Sequence, residues 1–151
     1  MAINTDISYS KFEESDFDLM LSMALKLWPD FEQKELRQLL KETTQSNTKA
    51  VWIAKANDHY AGFSIFSIRT DYVEGAEKSP TGYLEGIFVE PNFRKNGIAN
   101  SFVQLGQQWC KEHGCTQMGS DTWLNNTESR EFHKRMGFRE EEELVHFLKN
   151  I

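Results

Sequence analysis

The sequence predicts a single domain of the α/β (α+β) class, and three observations predict it. Strand-like and helix-like runs follow one another in the order β-α-α-β-β-β-α-β-α-β. No repeat, low-complexity tract or linker interrupts residues 1–151, a length that suits one domain with a core of ordinary size. The balance of 39% hydrophobic and 26% charged residues is that of a folded globular chain.

Each element has a local reason. Ile3 to Phe12 reads as a first strand. Ser15 or Asp16 can cap a helix whose apolar residues Phe17, Met20, Leu21, Ala24, Leu25 and Trp28 share one face, and Pro29 breaks it. Glu32 to Gln45 is a second helix with Leu36, Leu39 and Leu40 inward. Val51 to Ala56 and Ala61 to Ile68 are strands joined by the turn residues Asn57 and Asp58. Thr70 to Pro80 is a polar loop, and Gly82 to Val89 is a strand that Pro91 stops. Ile98, Phe102, Leu105 and Trp109 recur at helical steps, and Gly114 ends that helix. Thr116 to Asp121 is a short strand, Asn126 to Met136 a helix closed by Gly137, and Leu144 to Leu148 a last strand.

The most informative stretch is Tyr83 to Ala99, a strand, a turn and a helix start. The turn Arg94-Lys95-Asn96-Gly97-Ile98-Ala99 has the pattern Arg-x-x-Gly-x-Ala. Gly97 permits close backbone approach. The unpaired amides of the helix start, with the helix dipole behind them, suit an anion such as a pyrophosphate. That anion must be held by local donors, because the chain's net charge is −6.

The acidic balance argues against nucleic acid or an anionic membrane as partner, since both require basic surface, and suits a cationic partner or plain solubility. Cys110 and Cys115 fit neither a disulfide framework nor zinc-ligand spacing, so they read as reduced thiols in or near the core, and no metal is expected. The chain has no membrane-length apolar run and no signal-peptide core, so a cytoplasmic protein is expected. The sequon Asn125-Asn126-Thr127 carries no weight without export.

These elements and motifs resemble the GCN5-related N-acetyltransferase family over nearly the whole chain. The resemblance implies a central, mostly antiparallel mixed sheet flanked by helices, with acetyl-coenzyme A as cosubstrate. It implies that Phe88, Val89, Arg94, Lys95, Asn96, Gly97, Ile98 and Ala99 bind that cosubstrate, with Ala99 where many members have glycine. Asn126 followed by Phe132-His133-Lys134-Arg135-Met136-Gly137-Phe138 is similar to the family's tail, in which the asparagine helps hold the cofactor arm. His133 stands where the family commonly has a tyrosine near the sulfur. An imidazole can carry a proton to a leaving thiolate, and it can equally be a helix-surface residue.

A narrower resemblance runs through Leu27-Trp28-Pro29, Ser67 to Gly75, Leu84 to Val89 and Ser120-Asp121-Thr122. These blocks and their spacing look like the small dimeric aminoglycoside 6'-N-acetyltransferases. They imply a cationic aminoglycoside acceptor, a homodimer, and contacts from Trp28, Tyr72, Glu85 and Asp121. An acceptor with several ammonium groups needs a carboxylate-lined cleft. Glu85 sits between Leu84 and Gly86-Ile87, where an unpaired buried charge is costly, so it is the candidate base, or else the group that only positions the ammonium. Asp121 either contacts an amine or caps a loop. Trp28 and Tyr72 are either walls of the site or core. Asp71, Glu74 and Glu77 add negative field or are simply solvated, and Glu140 to Glu143 read as a solvated run.

The implied scheme is direct attack on the thioester, without an acyl-cysteine, because Cys110 and Cys115 are distant in sequence from the signature strand end. Two other readings stay open. One is another amine acceptor: a polyamine, an amino acid or a protein N-terminus. The other is a silent acyl-coenzyme A-binding module.

Overall fold

Apolar side chains alternate along the strands and so load both faces of one sheet. The computed structural model describes residues 6–151. Strands β1 (Ile7–Lys11), β2 (Lys49–Ala56), β3 (His59–Arg69), β4 (Thr81–Val89) and β5 (Met118–Ser120) lie in the order β1-β2-β3-β4-β5. The pairs β1–β2, β2–β3 and β3–β4 are antiparallel, and β4–β5 is parallel. Of the first expected strand, residues 3–5 lie outside the described residues.

Helices α1 (Phe17–Leu27) and α2 (Gln33–Gln45) cover one face, where Met20, Leu21, Leu36 and Leu40 pack on Val51, Ile53, Phe63, Ile65 and Phe88. Helix α3 (Ile98–Glu112) covers the other, with Ile98, Phe102 and Trp109 on Trp52, Ala54, Phe66 and Leu84. The period of two is visible in β2: Val51 and Ile53 face one layer, Trp52 and Ala54 the other. Burying a side chain like that of Phe102, fully enclosed, stabilises the fold by about 1.5–3 kcal/mol. The β2–β3 hairpin turns at Asn57 and Asp58, both with positive φ (47° and 70°), which matches the right-handed strand twist.

Three local expectations are corrected. Asp16 does not cap α1. It is buried, its Oδ2 accepts from the Glu13 amide at 2.8 Å, and its Oδ1 accepts from the Tyr60 hydroxyl at 2.6 Å. Leu39 is 42% exposed, because it lies on the flank of α2 that faces a cleft and not the sheet. The strand expected over Leu144–Leu148 is absent: residues 138–151 form neither helix nor strand, and Leu144, Val145, Phe147 and Leu148 are 72%, 78%, 86% and 87% exposed. A strand requires a hydrogen-bonded neighbour, and among the described residues no strand pairs with the tail.

Helix α4 (Thr127–Arg135) buries none of its residues fully. An ionic clamp ties it down. Arg130 donates to both oxygens of Glu140, at 2.7 and 2.9 Å, and to the Leu124 carbonyl at 3.1 Å. These hydrogen bonds pull the Glu140 carboxyl down to about 2, so the clamp is lost only as the pH falls through that value. Glu140 is therefore paired and not merely solvated.

Candidate active site

The pairing of β4 changes at Glu85. Ile65 faces Gly86 and Phe66 faces Leu84, so Glu85 is the extra residue of a β-bulge. On the other side, β5 accompanies β4 only from Gly82 to Leu84, opposite Met118 to Ser120. Beyond that fork β4 continues to Val89 with no strand neighbour on that side among the described residues. Apart from the Val89 carbonyl, which accepts from Arg94, that edge is free to take an extended ligand, as at any open sheet edge. Phe88 is buried in the core, so it can offer such a ligand only its backbone.

The turn after β4 is braced by its own side chains. Arg94 Nε donates to the Val89 carbonyl at 3.0 Å, and Asn96 Nδ2 donates to the carbonyls of Phe93 and Arg94 at 2.9 and 3.1 Å. Ile98 is buried under α3 and anchors the helix start, and Ala99 is half-buried. Lys95 and Gly97 adopt left-handed φ (65° and 75°), and a Cβ added at Gly97 would meet nothing within 4 Å. The outer face of the turn is therefore open, and Gly97 is required for its backbone conformation and not for packing. Replacing Gly97 with valine, whose branched side chain resists positive φ, is expected to raise the coenzyme A dissociation constant at least about tenfold, roughly 1.4 kcal/mol. Arg94→Ala should be milder. Calorimetry on folded variants measures both, and unchanged affinity in Gly97→Val would refute the assignment.

Glu85 lies in a cleft of about 300 Å³ lined by Trp28, Leu39, Thr43, Lys49, Arg69 and Glu85 among others. Trp28 reaches it because residue 86 is glycine: a Cβ there would stand 2.7 Å from the indole ring. The indole also packs edge-on to Phe63, with centroids 6.1 Å apart, so Trp28 is at once a wall of the cleft and part of the core. The carboxylate is not unpaired as the sequence suggested. Arg69 donates to Oε1 from Nε (3.0 Å) and Nη2 (2.9 Å) and to Oε2 from Nη2 (2.9 Å), and Ser67 Oγ donates to Oε1 at 2.5 Å. These partners offset the cost of placing a charge in an apolar strand.

Asp121 is surface-exposed, and its Oδ2 accepts from the Tyr83 hydroxyl at 2.5 Å. Burial, then the hydrogen bond to Asp121 and its charge, push the Tyr83 phenol above its ordinary range, so it remains a neutral donor. The Tyr83 ring stacks under the Arg69 guanidinium, 3.4 Å from carbon to centroid. A continuous chain of contacts thus joins Asp121 to Glu85. Tyr72 is 79% exposed on the Thr70–Pro80 loop and is not among the residues lining the cleft, so its expected place as a wall is not formed in this conformation.

Asn126 caps α4: its Oδ1 accepts from the Ser129 amide at 3.1 Å. His133 is half-buried rather than on the open helix surface. Its Nδ1 lies 2.7 Å from the Ser129 carbonyl, which can only accept, so Nδ1 carries the proton. In the neutral ring Nε2 then accepts from Ser120 Oγ at 2.7 Å. Ser120 Oγ also lies 3.3 Å from the Leu84 carbonyl, at the fork itself. The ring therefore addresses the fork through the Ser120 hydroxyl.

Both cysteines are buried, and burial pushes the Cys110 thiol up to about 12, far from a nucleophilic state at neutral pH. Among the described residues no cluster of three or more His, Cys, Asp or Glu could hold a metal ion. Sequence reasoning did not assign Ser67, Arg69, Tyr83 and Ser120. The signal for the first three was the period of two: Ser67 and Arg69 on β3 face Tyr83 and Thr81 on β4, so one face carries a hydroxyl, a cation and a phenol beside Glu85.

The acetyltransferase (GNAT) family model matches residues 17–138. An aminoglycoside N(6')-acetyltransferase type 1 of Acinetobacter baumannii is 37% identical over 138 residues, covering 91% of this chain and 94% of that protein. The structure of the aminoglycoside N-acetyltransferase AAC(6')-Iy in complex with CoA superposes with a TM-score of 0.92 at 32% identity, covering 100% of this chain and 99% of that one. AAC(6')-Iy in complex with the bisubstrate analogue CoA-S-monomethyl-acetylneamine gives a TM-score of 0.91 at 33% identity, covering 97% and 100%. With the forked sheet, the Gly97 turn and this extent of matching, the chain belongs to the GNAT family of acetyltransferases.

Proposed function

We propose that this enzyme transfers the acetyl group of acetyl-coenzyme A to the 6'-amine of an aminoglycoside by direct attack of the amine on the thioester. The observation that carries this reading is the meeting of three features at one point. They are an open β4 edge from Glu85 to Val89, a glycine turn with an open outer face braced to Val89, and a carboxylate-bearing cleft at Glu85. The relatives named for this activity are similar over nearly their whole length.

The pyrophosphate rests on the amides of the Gly97 turn, and the pantetheine arm runs along the open β4 edge. Backbone donors near Phe88 and Val89 polarise the thioester carbonyl, an effect worth roughly 3–4 kcal/mol when such a donor is aimed at developing negative charge. The acceptor arrives as an ammonium. Glu85 holds it and, directly or through water, takes its proton before attack. Asp121 holds a second ammonium of the acceptor. His133, when its ring carries a proton on both nitrogens, passes the Nε2 proton through the Ser120 hydroxyl to the departing thiolate. An unassisted thiolate is already a fair leaving group, so this last step contributes least.

A thiol-release assay with acetyl-coenzyme A and kanamycin-type, gentamicin-type, polyamine and peptide acceptors tests the reading. Turnover confined to polyamines or peptides would redirect the acceptor, and thiol release with none of them would favour a silent acyl-coenzyme A-binding module.

The working form in this reading is a homodimer. The exposed apolar tail from Leu144 to Leu148 supports it, since a second copy can cover these side chains and bond their backbone. Sedimentation should give twice the chain mass, and Phe147→Asp should shift it toward the monomer; a monomeric wild type would overturn the proposal. The cytoplasm, where the thiols of Cys110 and Cys115 stay reduced, is the matching location. No helix among the described residues is long and apolar enough to cross a membrane.

A further inference from the structure

Arg69 raises a question that base catalysis by Glu85 leaves open. The last residue of β3 points a cation into the cleft that is to receive a cationic acceptor. Its side chain is 38% exposed, so as an ion pair it contributes little to folding. What it does is occupy the carboxylate selectively. Glu85 Oε1 accepts from Ser67 Oγ and from Arg69 Nε and Nη2, whereas Oε2 accepts only from Nη2. A carboxylate oxygen offers about two lone pairs, so Oε1 is full and Oε2 keeps one free. The guanidinium is in turn held flat against the Tyr83 ring, whose hydroxyl is bonded to Asp121.

We propose that Arg69 is a positioning residue of the acetyl transfer: it fills Glu85 Oε1 so that Oε2 alone faces the acceptor amine, and through Tyr83 it fixes Glu85 relative to Asp121. This rests on the acceptor site described above. The resident cation also contests the carboxylate with the incoming ammonium, which keeps the ground-state ion pair from becoming too tight. An amine must shed its proton to attack, and binding energy spent on the ammonium form does not speed the reaction. Losing Arg69 therefore has two separable effects. The carboxylate gains uncompensated charge and binds the ammonium more firmly. It also turns freely and loses the line of approach to the thioester.

Steady-state kinetics with acetyl-coenzyme A and a kanamycin-type acceptor on the full chain, with thermal melting of each variant, test the proposal. In Arg69→Gln, kcat should fall at least about tenfold while the acceptor KM stays the same or falls, a split that a merely loosened structure would not give. Arg69→Lys keeps the charge but cannot fork, so it should recover the wild-type KM without recovering kcat. Should Arg69→Gln melt below the assay temperature, Arg69→Lys alone decides by the same split. Normal kcat in Arg69→Gln, a fall in kcat matched by a rise in KM, or full rescue of kcat by lysine would each overturn the proposal. Wild type that acetylates no aminoglycoside refutes the acceptor site and this proposal with it, whereas active wild type with indifferent Arg69 variants refutes Arg69 alone.

Discussion

Glu85→Gln is expected to lower kcat by roughly 10²–10⁴, the contribution of a positioned general base, with a smaller change in acceptor KM. Glutamine keeps the length and planarity of the side chain, and its oxygen can still accept from Ser67 and Arg69 at the Oε1 position. What it lacks is the ability to take a proton at the Oε2 position. The sign of the pH dependence follows from the role. A base works only when ionised, so the wild-type rate at saturating substrate should fall as the pH is lowered, and that limb should vanish in Glu85→Gln. If Glu85 merely orients the ammonium, KM rises instead and the pH profile keeps its shape. The decisive measurement is a pH–rate comparison at saturating acceptor and acetyl-coenzyme A. Near-normal kcat in Glu85→Gln at every pH would transfer the proton to water or another carboxylate.

Asp121→Asn should weaken acceptor binding by about 1.5–3 kcal/mol, the range for a hydrogen bond to a charged group, which is roughly 10- to 150-fold in KM. The structure explains why the effect should be confined to the acceptor. Asp121 lies past the end of β5, and its Oδ2 is held by Tyr83. Asparagine can still accept that bond through its carbonyl, so the loop stays in place while the negative charge is lost. Calorimetric affinity for coenzyme A should be unchanged. Equal kinetics for wild type and Asp121→Asn across several aminoglycosides would remove Asp121 from the acceptor site.

The strand–turn–helix from Tyr83 to Ala99 was legible because its signals are local. Pro91 stops the strand, Gly97 supplies the left-handed residue, and Ile98, Phe102 and Trp109 mark one helical face. The order of helices and strands was legible for the same reason, since an apolar period of two or of 3.6 marks each element and its buried face. The C-terminal strand was not legible. Leu144 to Leu148 has the composition of a strand, but strand formation depends on a neighbour, and none among the described residues pairs with it.

The candidate site divides along the same line. Glu85, Asp121 and the Gly97 turn stood out as residue types placed where packing does not call for them. Their partners did not, because partnership is a property of register and of the bulge. Only the shift between Ile65 and Phe66 makes Glu85 the extra residue of β4, and only the pairing of β3 with β4 brings Ser67 and Arg69 to its carboxylate. His133 reads from sequence as either a helix-surface residue or, by resemblance, a ring near the sulfur, and the packing of α4 beside β5 sets that ring against the Ser120 hydroxyl. The sequence by itself determined the order of strands and helices, the glycine turn after β4 and the carboxylates of Glu85 and Asp121 as candidates, because each follows from local periodicity, turn chemistry or an out-of-place charge. Tertiary structure alone decided which atoms of those carboxylates remain free, because hydrogen-bond saturation is set by side chains from strands and helices distant in the chain.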